Sequence, residues 1–167
     1  TANSFHVRED FAAGTVGKEM TNQLLVLQPA EVRLMDNNES EMFFVMEEHR
    51  KQDVSCYLGD VRDYEKLHKL AEGIDIIFHA AALKHVILSE YNPFDVVQTN
   101  IIGVENVVRA AKAREVKYVI FTSSDKAVNP TNVMGTSKLM GERLVTAANL
   151  LAKDSDTIIS STPIGNV

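Results

Sequence analysis

The chain is predicted to adopt an α/β fold, a doubly wound parallel sheet covered by helices on both faces. Apolar runs of strand length alternate with amphipathic helical stretches from about residue 14 to the end, and the connections are short. In addition, the acidic residue Asp36 ends a strand nineteen residues after the second of two closely spaced glycines, Gly14 and Gly17.

Each element has its own pattern. Residues 17–28 repeat apolar side chains at helical spacing, as Met20, Leu24, Leu25 and Leu27. Residues 31–36 (Glu-Val-Arg-Leu-Met-Asp) read as a strand, 39–50 as a helix and 53–59 as a strand. A short helix at 63–72 precedes the apolar strand 74–78, and a long helix spans 93–114 with Val96, Val97, Ile101, Val104, Val107, Val108 and Ala111 on one face. Residues 118–122 form the next strand, 133–152 the next helix and 157–160 the last strand. Such alternation gives right-handed βαβ crossovers, with ligands bound at the carboxyl ends of the strands. The expected domain is 14–167. Residues 1–13 are too polar for a buried central strand and stand apart as an atypical segment.

Composition narrows the function. Apolar residues are 45% and charged ones 24%, ordinary globular usage over 167 residues. A net charge of −6 argues against a general nucleic-acid binder, yet leaves phosphate binding at a helix N-terminus open. The single cysteine, Cys56, lies in an alternating stretch that favours a small buried residue over a reactive one, and a reducing cytoplasm is the expected location. No apolar run reaches the ~20 residues of a membrane span. The pattern assigns no metal ligand.

Gly14-Thr15-Val16-Gly17 opens the first helix. A Rossmann-like dinucleotide turn needs one glycine for the bend, one for backbone approach to pyrophosphate and one for helix–strand packing. Gly14 and Gly17 supply the last two; Phe11 stands where the first belongs. A plain glycine turn is the alternative. At the end of its strand, Asp36 can accept both adenosine ribose hydroxyls, and its charge disfavours the extra phosphate of NADP, so NAD is expected. Otherwise it is a solvated turn residue. Asp60 and Val61 follow the third strand, where Asp60 meets an adenine amine or caps the helix near Asp63. His79 reads as a structural loop histidine. Ala80, Ala81 and Ala82 after it leave room for a flat ligand.

Several stretches then occur in a fixed order: His79-Ala-Ala-Ala-Leu-Lys84-His85-Val86, Glu90-Tyr-Asn-Pro-Phe94, Thr99-Asn100, Ser123-Ser124-Asp125-Lys126-Ala-Val-Asn-Pro-Thr-Asn132-Val-Met134-Gly135 and Ser137-Lys138. Over about residues 14–162 the chain closely resembles the UDP-N-acetylglucosamine 4,6-dehydratases of polysaccharide and flagellin-sugar biosynthesis, extended short-chain dehydrogenases. That resemblance implies a lyase that removes water from a UDP-linked amino sugar through internal hydride transfer on a bound nicotinamide. It implies that Lys138 holds the nicotinamide ribose, Ser124 bonds the reacting hydroxyl, Asp125 protonates the leaving hydroxyl and Lys126 takes the carbon 5 proton. Asn100 would support the site lysine. Lys84, His85 and Asn132 would lie near substrate. Read without the resemblance, Ser123-Ser124-Asp125 is a helix-start cap cluster and Lys138 a solvated helix position.

Two departures qualify this. Met134 stands where the family tyrosine is expected and has no ionisable proton, which places the chain in a methionine branch where Asp125 or Lys126 covers the missing work. Phe11 would crowd the pyrophosphate. Residues 161–167 resemble a family segment with arginine at the place of Pro163, and the smaller substrate lobe that follows in family members is missing, so an incomplete form with little activity is expected. A 4-epimerase and a non-catalytic nucleotide-binding module are the alternatives. By analogy, a homo-oligomer paired through helices 93–114 and 133–152 is also expected.

Overall fold

The computed structural model describes residues 5–151 and 155–164. Six parallel strands form one sheet in the order β3-β2-β1-β4-β5-β6, with β1 His6–Asp10, β2 Glu31–Asp36, β3 Val54–Leu58, β4 Ile76–His79, β5 Tyr118–Ser124 and β6 Ile158–Ile164. This is the doubly wound order, with the strand sequence reversing between β1 and β4. The helices are α1 Thr15–Val26, α2 Glu39–Glu48, α3 Tyr64–Leu70, α4 Val86–Tyr91, α5 Pro93–Val96, α6 Gly103–Ala113 and α7 Val133–Leu150.

Both sheet faces are apolar because successive strand residues point to opposite sides. Along β2, Val32 and Leu34 pack with Met42 and Val45 of α2, while Met35 joins the cluster of Leu67, Val104, Val107 and Phe121 on the other face.

The first strand corrects the reading of residues 1–13. β1 is central, paired to β2 and β4, and Arg8, Glu9 and Asp10 in it are each 0% exposed. A polar strand can sit there because its charges find partners inside. Arg8 donates from Nη1 to the Leu67 carbonyl at 2.9 Å and from Nη2 to Asp10 Oδ2 at 3.1 Å, and the His79 ring nitrogen Nδ1 lies 3.3 Å from the same carboxylate oxygen. On the opposite face the Thr21 hydroxyl of α1 donates to Glu9 Oε2 at 2.9 Å. Burial alone would raise the Asp10 carboxyl, but Arg8 and His79 outweigh it and hold it below its ordinary range. The domain therefore includes residues 6–13. Residues 1–4 lie outside the described chain.

Other boundaries shift for identifiable reasons. The stretch 93–114 is three pieces: α5, a π-helical turn at Val97–Ile102, and α6. Val97 is consequently exposed while Val96 and Val104 are buried. β6 runs on to Ile164 through Pro163, tolerated because β6 is an edge strand paired only to β5. Cys56 is half-buried, packed beside the α2 cluster, and burial raises its thiol. Residue 152 and the terminal Gly165-Asn166-Val167 fall outside the described residues. Among the described residues no helix is long and apolar enough to cross a membrane, and no group of three His, Cys, Asp or Glu is placed to hold a metal.

Candidate active site

At the strand reversal, the carboxyl ends of β1 and β4 part and a cavity of about 430 Å³ opens. Its floor and one wall come from the ends of β2 and β3: Asp36 and Asn37, then Gly59, Asp60, Val61 and Arg62. Ala81, Ala82, Leu83, Lys84 and His85 after β4 close the other side, with Leu88 and Ser89 of α4 above them.

Asp36 is buried, which corrects the solvated-turn alternative. Its Oδ2 accepts the Ala13 N–H at 3.1 Å and its Oδ1 the Asn38 N–H at 2.9 Å, so the carboxylate ties β2 to the glycine turn. A carboxylate has lone pairs to spare, and Asp36 still lines the cavity. Asp60 is chelated by Arg62, whose Nε donates to Oδ1 at 2.9 Å and to Oδ2 at 3.0 Å, and this pairing holds its carboxyl low. The helix cap is Asp63, which accepts the Lys66 N–H.

Gly17 behaves as the packing glycine. A Cβ there would lie 2.4 Å from the Phe11 carbonyl oxygen and 2.7 Å from that of Ala12. Gly14, the residue before α1, is covered by the Phe11 ring, so a Cβ on it would meet Phe11 Cε1 at 2.4 Å. Thr15 and Val16 begin the helix after Gly14, and the cavity lining takes Phe11 but neither Gly14 nor Gly17.

The second group of predicted residues surrounds the end of β5. Lys138 on α7 is 6% exposed, which excludes the solvated-helix alternative. Its Nζ donates to the Thr122 carbonyl at 3.0 Å and lies 5.0 Å from the Phe121 ring centroid. Burial drives its pKa down to about 8, with Glu142 pulling up and Lys84 pushing further down. Ser124 ends β5, where its hydroxyl donates to Asp125 Oδ1 at 3.0 Å and accepts the Lys126 N–H at 3.3 Å. Ser124 caps the short 3₁₀ turn that holds Asp125 and Lys126 exposed. Met134 is 2% exposed and packed into the interior.

Asn100 lies in the π-helical turn, a distortion frequent at functional sites. It bonds Leu83 twice, accepting its N–H at 2.8 Å and donating to its carbonyl at 2.9 Å, and also donates to Ser137 Oγ at 2.9 Å. It thereby pins the loop after β4 to α7, the helix that carries Lys138. Asn132 caps α7 through the Gly135 N–H at 2.8 Å, and the cavity lining does not include it. Ala80 donates its N–H to the Asp10 carbonyl, while Ala81 and Ala82 face the cavity. His79 is buried in β4 rather than in a loop, and its ring stacks on Phe121 at 5.8 Å. A contributor that the motif order does not single out is Glu90 of α4, whose Oε1 accepts the Val133 N–H at 2.7 Å and steadies the start of α7.

Of a nicotinamide dinucleotide, the adenosine half fits this cavity and the pyrophosphate does not, and the cavity lining includes none of Ser124, Asp125, Lys126 or Lys138. The Asp36 side offers ribose and adenine partners, and the buried Lys138 amine stands beside the end of β5. The Phe11 ring covers Gly14, in the turn that a pyrophosphate requires.

The sequence model of a family described as polysaccharide biosynthesis protein matches residues 11–167. The chain is 46% identical over 154 residues to an uncharacterised membrane protein of Methanocaldococcus jannaschii, spanning 92% of this chain and 46% of that one. It is 38% identical over 155 residues to the UDP-N-acetylglucosamine 4,6-dehydratase (inverting) of Campylobacter jejuni, spanning 92% and 46%. Among solved structures, Pen from Bacillus thuringiensis superposes with a TM-score of 0.96 at 41% identity, over 98% of this chain and 51% of that one. The chain spans about half the length of the curated relatives it matches. With more than nine-tenths of its length matched, the chain belongs to the polysaccharide biosynthesis protein family.

Proposed function

We propose that the chain is the nucleotide-binding part of a nucleotide-sugar 4,6-dehydratase, acting on a UDP-linked amino sugar in the cytoplasm, with NAD preferred to NADP, as a homo-oligomer. The carrying observation is the buried Lys138 amine bonded to Thr122, three residues before the exposed Asp125-Lys126 pair. Such a reaction needs a hydride carrier; the chemistry assigned to the chain's own residues is confined to proton transfers. Ser124 positions the reacting hydroxyl, Asp125 gives a proton to the departing one and Lys126 removes the proton beside the ketone. Lys138, its buried amine lowered in pKa, would hold the nicotinamide ribose, while the interior Met134 has no proton to exchange. The Asp36 carboxylate repels the additional phosphate of NADP.

Phe11 over Gly14 favours a second reading, a nucleotide-binding module without catalysis. Incubating the protein with UDP-N-acetylglucosamine and NAD, then weighing the product, separates the readings. Loss of one water supports the dehydratase. An isomer of unchanged mass points to a 4-epimerase, and no product alongside demonstrable nucleotide binding points to the module.

A further inference from the structure

Phe11 stands where the phosphate turn needs bare backbone. Its φ is +76°, a left-handed conformation that bulky residues adopt only at a cost, and its N–H is fixed by the Met35 carbonyl at 2.8 Å. From this anchored position the ring folds back over the turn, so that a Cβ on Gly14 would lie 2.4 Å from Cε1 and 2.9 Å from Cδ1. Lys84 Nζ lies 5.4 Å from the ring centroid, a cation–π contact that holds the ring from the cavity side. The remaining cavity of about 430 Å³ keeps Asp36, Asn37, Asp60 and Val61 as partners for a ribose and a base.

We propose that Phe11 is a specificity determinant that covers the pyrophosphate place, so that this cleft admits an adenine nucleoside directly and an adenine dinucleotide only at the cost of displacing the ring. The proposal rests on reading the cavity as a nucleotide cleft. A dinucleotide enters only if the ring swings off Gly14, giving up its packing there and the Lys84 contact; adenosine, lacking phosphates, needs no such movement.

Calorimetric titration of the 167-residue chain, Phe11→Gly and Phe11→Ala with adenosine and with NAD tests this. Glycine suits the left-handed backbone, and alanine removes the ring while keeping a Cβ, so a folding defect in either leaves the other informative. The ratio of NAD affinity to adenosine affinity is expected to rise about tenfold or more in both variants relative to the parent. Equal NAD affinity in parent and variants, with adenosine binding intact, overturns the role of Phe11 and leaves the nucleotide cleft standing. If neither ligand binds any of the folded proteins, the cleft reading falls and the proposal with it.

Discussion

Lys138 and Thr122 are joined by a hydrogen bond of 3.0 Å from the side-chain amine of one to the main-chain carbonyl of the other. The bond draws a cation from α7 into the interior beside the end of β5, and Asn100 and Glu90 lock the helix that carries it. An amine held this way is poised for chemistry and costly for stability, and both consequences can be measured.

Lys138 is expected to make the protein more stable at higher pH. Its folded pKa is about 8 against an ordinary 10.5, so between these values the unfolded chain holds the proton and the folded one does not. Raising the pH through this window favours the folded state, by on the order of 3 kcal/mol at most. Urea melts of Lys138→Met should lose that rise.

Glu9 acts in the opposite direction. Burial raises its pKa to about 8 from 4.5, against the Thr21 hydrogen bond and with help from the charges of Asp10 and Asp36. Here the folded state holds the proton that the unfolded chain releases. The contribution is full below about 4.5 and is lost as the pH climbs to about 8, on the order of 5 kcal/mol. Glu9→Gln should flatten this fall in denaturation midpoints, and together with Lys138 it predicts a stability minimum near pH 8 in the parent.

Asn100→Ala strands the Leu83 N–H and carbonyl and frees Ser137 Oγ. A cost of about 1–3 kcal/mol in urea unfolding is expected, since polar groups removed from water and left without partners pay their desolvation penalty uncompensated. Wild-type stability in this variant would mean that water replaces the amide.

Asp125→Asn and Lys126→Ala change exposed side chains on a 3₁₀ turn, so folding should be little affected. In the active protein each should lower turnover about a hundredfold or more, the size typical of lost acid–base catalysis. Adenosine binding should stay unchanged in both.

Much of the fold could be read from periodicity. β2, β3, α2, α7 and most of β5 follow apolar spacing that the packing then uses. β1 could not be read this way, because His6-Val-Arg-Glu-Asp10 looks solvated and becomes a central strand only when Leu67, His79 and Thr21 arrive from distant segments to satisfy it. The π-helical turn is silent in the sequence because its registers differ from a regular helix by a single residue, with no compositional mark. In the site, Ser124, Asp125, Lys126 and Lys138 stood out through motif order. Glu90 was visible in the same motif, but its partner, a main-chain N–H of α7, carries no side-chain signal.

The central claim is that the cavity between β1 and β4 receives a nucleoside, and backbone amide NMR shifts on adding adenosine test it most directly. The account predicts the largest shifts at Asn37, Gly59, Asp60, Val61 and Ala81, saturating together. Shifts centred on a different face of the sheet, or none at saturating adenosine, would contradict it.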